Sequence, residues 1–226
     1  SISPSNGKKI AIIGAGPSGL SCAYFLRMGG FEVEIFETKS IPGGMVSEAI
    51  PEFRLKMESL QKDIQRIEKL GVKIHYNSKI DSQLFARLRS EYDSVYIATG
   101  AQRFKTLQME GENAEGILNA FEFLKSAKQG NLSDLGKNII VIGGGNTAMD
   151  VARTAKRMAR PGSSVKVLYR RSRTEMPADV DEIKALLAEG IELLELVAPE
   201  KLVLSENRIS SIVCAKMELV KSENEN

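Results

Sequence analysis

Two glycine clusters carry the chemistry that this sequence can do. Gly14, Gly16 and Gly19 stand at GxGxxG spacing, and Gly143, Gly145 and Ala148 repeat the pattern as GxGxxA. Each cluster follows a short apolar run (Ile10–Ile13 and Asn138–Ile142), and each precedes a stretch with helical apolar spacing. A strand that turns tightly into a helix leaves the first helical N–H groups unpaired and presents the positive end of the helix dipole. Such a turn receives phosphate. The first glycine allows the turn, the second lets a pyrophosphate approach the backbone, and the third lets the helix close on the strand. The chemistry expected of both clusters is dinucleotide binding.

The residue that ends the next strand says which dinucleotide. The run Val33–Phe36 ends in Glu37. An acid at that point accepts hydrogen bonds from both ribose hydroxyls and repels a 2′-phosphate, which suits FAD or NAD. The matching run in the second half, Val165–Tyr169, ends in Arg170 and Arg171, with Arg173 close by. Guanidinium groups pair with phosphate in a planar, bidentate way, so this site prefers NADP(H). A surface glutamate and a solvated basic turn are the plain alternatives. An acid-tipped and an arginine-tipped site in one chain imply hydride transfer between two cofactors, because a flavin takes a hydride from NADPH and releases electrons singly. That step needs two stacked rings and no acid–base side chain, so no catalytic residue is assigned. His75, the only histidine, has no motif around it and reads as structural.

The elements that must position these residues follow the same doubled plan. A helical stretch through Met57, Leu60, Ile64 and Ile67 ends at Gly71 and leads into a strand over Val72–Tyr76. A second stretch, through Val180, Ile183, Leu186 and Leu187, ends at Gly190 and leads into the strand Ile191–Leu194. The fold class expected is therefore α/β, with two tandem Rossmann-like units built on parallel sheets. Between the glycine clusters lie a loop of turn formers, Thr38–Arg54, a short helix around Leu84 and Leu88, and the strand Ser94–Ala98 closed by Thr99 and Gly100. The pattern breaks down over Gln102–Gly116, which reads as a domain linker, dividing the chain at residues 1–104 and 105–226. Lys201–Leu204 and Arg208–Leu219 read as a hairpin about Glu206–Asn207. Ser1–Lys8 reads as a poorly ordered lead-in.

Composition narrows the classes. The net charge of +2 offers no field for nucleic acid or a membrane surface. Cys22 and Cys214 are the only cysteines, so no dithiol, zinc knuckle or iron–sulfur site is expected in this chain, and both read as small buried hydrophobes. No apolar run is long enough to span a bilayer and no signal peptide is visible, which reads as cytoplasmic. The absence of an initial methionine and the polar tail Ser222–Asn226 read as a piece of a longer chain.

Five strings carry a closer resemblance: IAIIGAGPSGLSCA from Ile10, PGGM at Pro42–Met45 with IPEFRL at Ile50–Leu55, YIATGA at Tyr96–Ala101, VIGGGNTAMDVAR at Val141–Arg153, and VLYRRSRTEMPA at Val167–Ala178. From Lys9 to about Leu219 the chain resembles the flavin-dependent pyridine nucleotide oxidoreductases of the glutamate synthase small-subunit type. That group includes selenate-reductase-like flavoprotein subunits and the flavin half of dihydropyrimidine dehydrogenase.

The resemblance implies that Gly14, Ala15, Gly16, Pro17, Ser18, Gly19 and Glu37 hold the FAD pyrophosphate and adenosine ribose. Gly43, Gly44 and Met45 would line the flavin, Arg54 would reach the cofactor, the Ile80 backbone would meet adenine, and Thr99–Gly100 would close the site. Gly144, Gly145, Asn146 and Thr147 would hold the NADP pyrophosphate, and Arg170 and Arg171 the 2′-phosphate, with Arg173 or Lys166 as a further contact. No metal site is implied. The implied function is an electron-input module that passes hydride from NADPH to FAD and electrons onward to iron–sulfur centres or a partner subunit.

The family pattern is not complete. Its members carry a Gly-Asp pair that holds the ribityl chain, and no Gly-Asp dipeptide occurs here. The last strand of the NADP unit and the iron–sulfur cysteines are also missing. The reading is thus an incomplete FAD unit (the N-terminal part of that domain) followed by a nearly complete NAD(P)-binding domain. Iron–sulfur clusters are expected outside this chain, on another domain or a larger catalytic subunit, with a homo-oligomer as a further possibility. A non-catalytic dinucleotide-binding scaffold or sensor is the competing function. A flavin monooxygenase shares the tandem glycine motifs, but the IPEFR and EMPA strings argue against it.

Overall fold

The computed structural model describes residues 2–101, 106–132 and 134–219. The chain divides into two compact units, Ser1–Phe104 and Lys105–Asn226.

The first unit is built from strands β1 (Lys9–Ile13), β2 (Glu32–Phe36), β3 (Lys73–His75) and β4 (Ser94–Ile97) and helices α1 (Pro17–Met28), α2 (Met45–Glu48), α3 (Met57–Lys69) and α4 (Ser82–Glu91). The strands pair in the order β3-β2-β1-β4, all parallel. Alternation along β1 divides the core. Ile10 and Ile12 pack with Val33, Ile35, Leu20, Ala23, Ile64 and Ile67 on one face. Ala11 and Ile13 pack with Phe36 and Leu88 on the other. A strand covered on both faces must read as an unbroken apolar run, and β1 does. The chain first adds β2 and β3 on one side of β1 and then places β4 on the other. That reversal opens a crevice at the carboxyl ends of β1 and β4, the usual seat of a ligand in an open α/β sheet.

The second unit contains α5 (Ala120–Lys128), β5 (Asn138–Ile142), α6 (Asn146–Met158), β6 (Ser164–Tyr169), a single 3₁₀ turn (Arg173–Glu175), α7 (Val180–Ala188) and β7 (Glu192–Glu195). Its strands run parallel in the order β5-β6-β7. An antiparallel hairpin follows, β8 (Val197–Ser205) with β9 (Arg208–Lys216). Glu206 and Asn207 both have positive φ, 49° and 61°, as the tight turn of a twisted hairpin requires. Both parallel sheets agree with the apolar runs in the sequence, and β1, β2, β5 and β6 end at Ile13, Phe36, Ile142 and Tyr169. Among the described residues no helix is long and apolar enough to cross a membrane.

Three expectations need correction. The described part of the lead-in, residues 2–8, is tied down: Ser3 N–H donates to the Met28 carbonyl (3.0 Å), which the end of α1 leaves free, and Asn6 N–H to that of Gly30 (3.1 Å) just beyond the helix. Residues 102–105 of the expected linker lie outside the described residues, but the remainder is not a free connection. Glu115 bridges to Arg208 through main-chain bonds to Asn207 and Ile209 (both 2.9 Å) and a 2.6 Å ion pair. The stretch docks on the hairpin, a partner too distant in sequence for local pattern to show. The Thr38–Arg54 loop holds one helical turn, α2. The polar tail Ser222–Asn226 lies outside the described residues.

Candidate functional site

In the first unit the glycine turn after β1 is packed to its limit. Gly14 has φ +104°, and a β-carbon there would stand 2.5 Å from the Ala98 carbonyl oxygen at the end of β4. A β-carbon on Gly19 would stand 1.9 Å from the Gly14 carbonyl oxygen, so only glycine lets α1 sit this close to β1. Gly16 is the N-cap of α1 and supplies no side-chain cap. Pro17 at the first helical position forfeits only an N–H that would lack a helical partner.

The Pro42–Met45 stretch returns to this turn. Gly43 N–H donates to the Ala15 carbonyl at 2.7 Å. A β-carbon on Gly44 would lie 3.0 Å from Gly16 Cα. Two remote glycine segments therefore meet backbone to backbone. Glu37 locks them to β2: one carboxylate oxygen accepts the Ala15 N–H (2.7 Å) and the other the Lys39 N–H (2.9 Å). Its own N–H donates to the His75 carbonyl, and its carbonyl accepts the Ser78 N–H. Burial to 8% exposure makes these charge-assisted bonds worth more than surface ones.

The other expected residues of this site are placed less closely. Met45 opens α2 and is exposed. Arg54 is half-buried, with its N–H on the Pro51 carbonyl at 3.0 Å. Ile80 packs its side chain against the Ala11, Ile13, Phe36 and Leu88 cluster. Gly100 is exposed beyond Thr99 with φ +70°. Ser18 on the first turn of α1 lies 3.0 Å, hydroxyl to hydroxyl, from Tyr96 of β4, a partner that no motif announced.

Beside this strand end, His75 stacks on Phe36 (centroids 4.7 Å apart) and its Nε2 lies 2.5 Å from Glu34. Burial pushes the Glu34 carboxyl up, but hydrogen bonds with His75 and Tyr92 and the charges of His75 and Lys73 outweigh it and hold it below the usual value. Burial and the Glu34 charge push the Tyr92 phenol up to about 12. The Cys22 and Cys214 thiols are both pushed up by burial, which suits unreactive packing residues.

In the second unit, Gly145 is the N-cap of α6, again without a side-chain cap, and a β-carbon there would meet nothing within 4 Å. The space in front of this helix end is open. Ala148 stands where the first turn has Gly19, and its methyl is accommodated 3.5 Å from the β-carbon position of Gly143. Gly144 is the tight position: the Tyr169 ring lies 2.5 Å from where its β-carbon would be. Thr147 is exposed. Asn146 uses its side-chain oxygen to accept the Asp179 N–H at 2.8 Å, and Ala178 N–H donates to the Gly144 carbonyl at 3.1 Å. The EMPA string thus folds back onto the glycine turn.

Arg170 and Arg171 follow β6 directly and are exposed. Arg173 and Lys166 are held by β7 carboxylates, Glu195 at 2.8 Å and Glu192 at 2.7 Å. Ser172 and Glu175 form a capping box, which the sequence spells as S-x-x-E.

These features define a class. Two parallel α/β layers, each with an uncapped helix opening on a glycine turn and a charged residue ending the next strand, make a double dinucleotide-binding chain. The chain belongs to the pyridine nucleotide-disulphide oxidoreductase family, whose profile matches residues 8–219. It is 39% identical over 223 residues to the NADPH-Fe(3+) oxidoreductase subunit beta of Geobacter sulfurreducens, covering 96% of this chain and 33% of that protein. It is 33% identical to the glutamate synthase [NADPH] small chain of Azospirillum brasilense, covering 86% of this chain and 42% of that one. The chain therefore spans between a third and a half of these relatives. Among solved structures it resembles FprA of Mycobacterium tuberculosis in complex with NADPH, with a TM-score of 0.78 at 22% identity over 98% of this chain and 66% of that one, a likeness of fold.

Proposed function

We propose that this chain is the electron-input module of an NADPH-dependent flavoprotein oxidoreductase, with residues 1–104 contributing to FAD binding and residues 105–226 binding NADP(H). The observation that carries the reading is the contrast between two similar turns. A buried carboxylate, Glu37, ends the strand beside the first, and two exposed guanidinium groups, Arg170 and Arg171, end the strand beside the second. The donor sets fit these groups. Gly16 and Gly145 cap their helices with no side chain, so no cap side chain competes with phosphate oxygens for the first-turn N–H groups, although Pro17 has none and the Ala148 N–H turns back to the Gly145 carbonyl. Arg170 and Arg171 would take the 2′-phosphate, and Gly144 to Thr147 the pyrophosphate. Ala15 to Gly19 would take the FAD pyrophosphate, with Glu37 facing the adenosine ribose and Gly43, Gly44, Met45, Arg54, Ile80 and Gly100 around the remainder of the cofactor.

Bound FAD would supply the two-electron acceptor that passes electrons on singly. The chain's own residues bind and orient; none of them moves a proton. Electrons would leave to iron–sulfur centres on another domain or a larger partner subunit, and the relatives named as subunits support that reading. The test is the visible spectrum of the purified intact protein and its bleaching by NADPH under anaerobic conditions. Flavin bands near 450 nm that bleach with NADPH in preference to NADH are expected. A colourless protein that still binds NADP⁺ would leave the scaffold or sensor function in its place.

A further inference from the structure

We propose that Glu175 is a positioning residue of the 2′-phosphate site, holding both flanks of the Arg170–Arg171 pair. The proposal rests on the NADP(H) reading of the second unit. Tyr169, immediately before the pair, donates its hydroxyl to the Glu175 carbonyl at 2.8 Å. Ser172, immediately after it, donates its main-chain N–H (3.1 Å) and its hydroxyl (2.8 Å) to the Glu175 carboxylate. Glu175 N–H returns to the Ser172 carbonyl at 3.0 Å. One residue thus closes a ring of bonds around the two arginines.

That ring is anchored to the pyrophosphate turn. The Tyr169 ring covers Gly144, and the chain after Glu175 returns through Ala178 N–H to the Gly144 carbonyl and Asp179 N–H to Asn146. On the other side, the Arg171 carbonyl accepts the Leu196 N–H at 3.2 Å. The backbone beneath the arginines is therefore set before any nucleotide arrives. Two long side chains lose rotamer freedom when they clamp a phosphate, and a preset backbone removes part of that cost.

The charge of Glu175 is placed on the Ser172 flank of the arginines. Its carboxylate is occupied by the two Ser172 donors and is held below the usual range by the Ser172 side-chain and main-chain hydrogen bonds and by the Arg171 charge. It remains ionised at neutral pH, with both Ser172 donors on one of its oxygens. Glu195 and Glu192 are likewise engaged, with Arg173 and Lys166. Because Glu175 is exposed, its loss should change the loop more than the core.

The experiment is calorimetric titration of the purified intact protein with NADP⁺ and with NAD⁺, alongside thermal melting. Glu175→Ala is expected to weaken NADP⁺ about fivefold, the size of a lost cap, and to leave NAD⁺ within about twofold. Glu175→Gln should recover most of the loss, since its amide oxygen still accepts from Ser172. Glu175→Ala removes the Ser172 flank and keeps the Tyr169 bond, which is made to the main-chain carbonyl; Tyr169→Phe removes that other flank, should weaken NADP⁺ with the same selectivity, and decides the matter if Glu175→Ala does not fold. Equal weakening of both nucleotides, or full NADP⁺ affinity in both Glu175→Ala and Tyr169→Phe, overturns the proposal. The Arg170→Ala/Arg171→Ala double variant separates the two levels. If it too leaves NADP⁺ binding intact, the NADP(H) reading has failed. If it alone loses NADP⁺ selectively, only the role of Glu175 falls.

Discussion

The Glu37 carboxylate accepts the Ala15 main-chain N–H at 2.7 Å, and that bond ties the end of β2 to the glycine turn after β1. The acid therefore has a structural duty as well as the proposed ribose contact. Its second oxygen serves Lys39 N–H, so both oxygens are already engaged by the backbone. A carboxylate oxygen has more than one lone pair, and each can accept a further hydroxyl.

Removing that acceptor should be felt twice. Glu37→Ala leaves two backbone donors without their partner, at about 1–3 kcal/mol each where they are buried, and a lower melting temperature is expected. Glu37→Gln keeps an acceptor for one of them and should fold, but with reduced flavin content in the intact protein. The ratio of absorbance at 450 nm to that at 280 nm reads it. Unchanged flavin content in Glu37→Gln would show that the acid does not hold the ribose.

Glycines of similar spacing should behave in opposite ways. Gly19→Ala drives a methyl into the Gly14 carbonyl, which backbone on both sides prevents from yielding, and a loss of about 3 kcal/mol or more is expected in urea denaturation. Gly145→Ala meets open space and should cost only the poorer N-cap, about 1 kcal/mol or less. It should still weaken NADP⁺, because its methyl stands where the pyrophosphate approaches. Equal stability losses in the two variants would contradict the geometry.

The arginine pair should govern the choice of nucleotide. Charge-assisted contacts to a 2′-phosphate are worth on the order of 1.5–3 kcal/mol each. Replacing Arg170 and Arg171 by alanine is expected to raise KM for NADPH by at least tenfold and to leave NADH nearly untouched. Parallel loss with both nucleotides would mean that the arginines only support the loop.

The Glu34–Tyr92 pair predicts stability that falls at both ends of the pH range. Tyr92 keeps its proton to about 12 when folded, against about 10 for a free phenol. Its contribution is complete below the unfolded value and is lost as pH rises through the folded one. Glu34 is shifted the other way, so its contribution is present above the ordinary carboxylate value and is lost as pH falls through its lowered one. Urea midpoints measured against pH should show a smaller alkaline fall in Tyr92→Phe. An alkaline limb identical to that of the wild type would remove Tyr92 from the account.

Much of this protein was legible in the sequence because the signals are local. A buried parallel strand must be apolar on both faces, and a phosphate turn must have glycine at fixed spacing, so GxGxxG and GxGxxA with the apolar runs before and after them placed the ends of β1, β2, β5 and β6. The charges at Glu37 and Arg170–Arg171 were readable for the same reason: each lies directly after its strand.

The tertiary structure decided what joins residues far apart in the chain. The meeting of Gly43–Gly44 with Ala15–Gly16, the reach of Tyr96 to Ser18, and the docking of Glu115 on Arg208 have no period or spacing that announces them. They exist because β4 is laid beside β1 and because loops come back to satisfy backbone groups left unpaired at strand and helix ends. Lys166 and Arg173, plausible phosphate contacts by sequence, were assigned to Glu192 and Glu195 only when β7 came alongside β6. Arg170 and Arg171 stay exposed, and among the described residues no β7 carboxylate forms an ion pair with either.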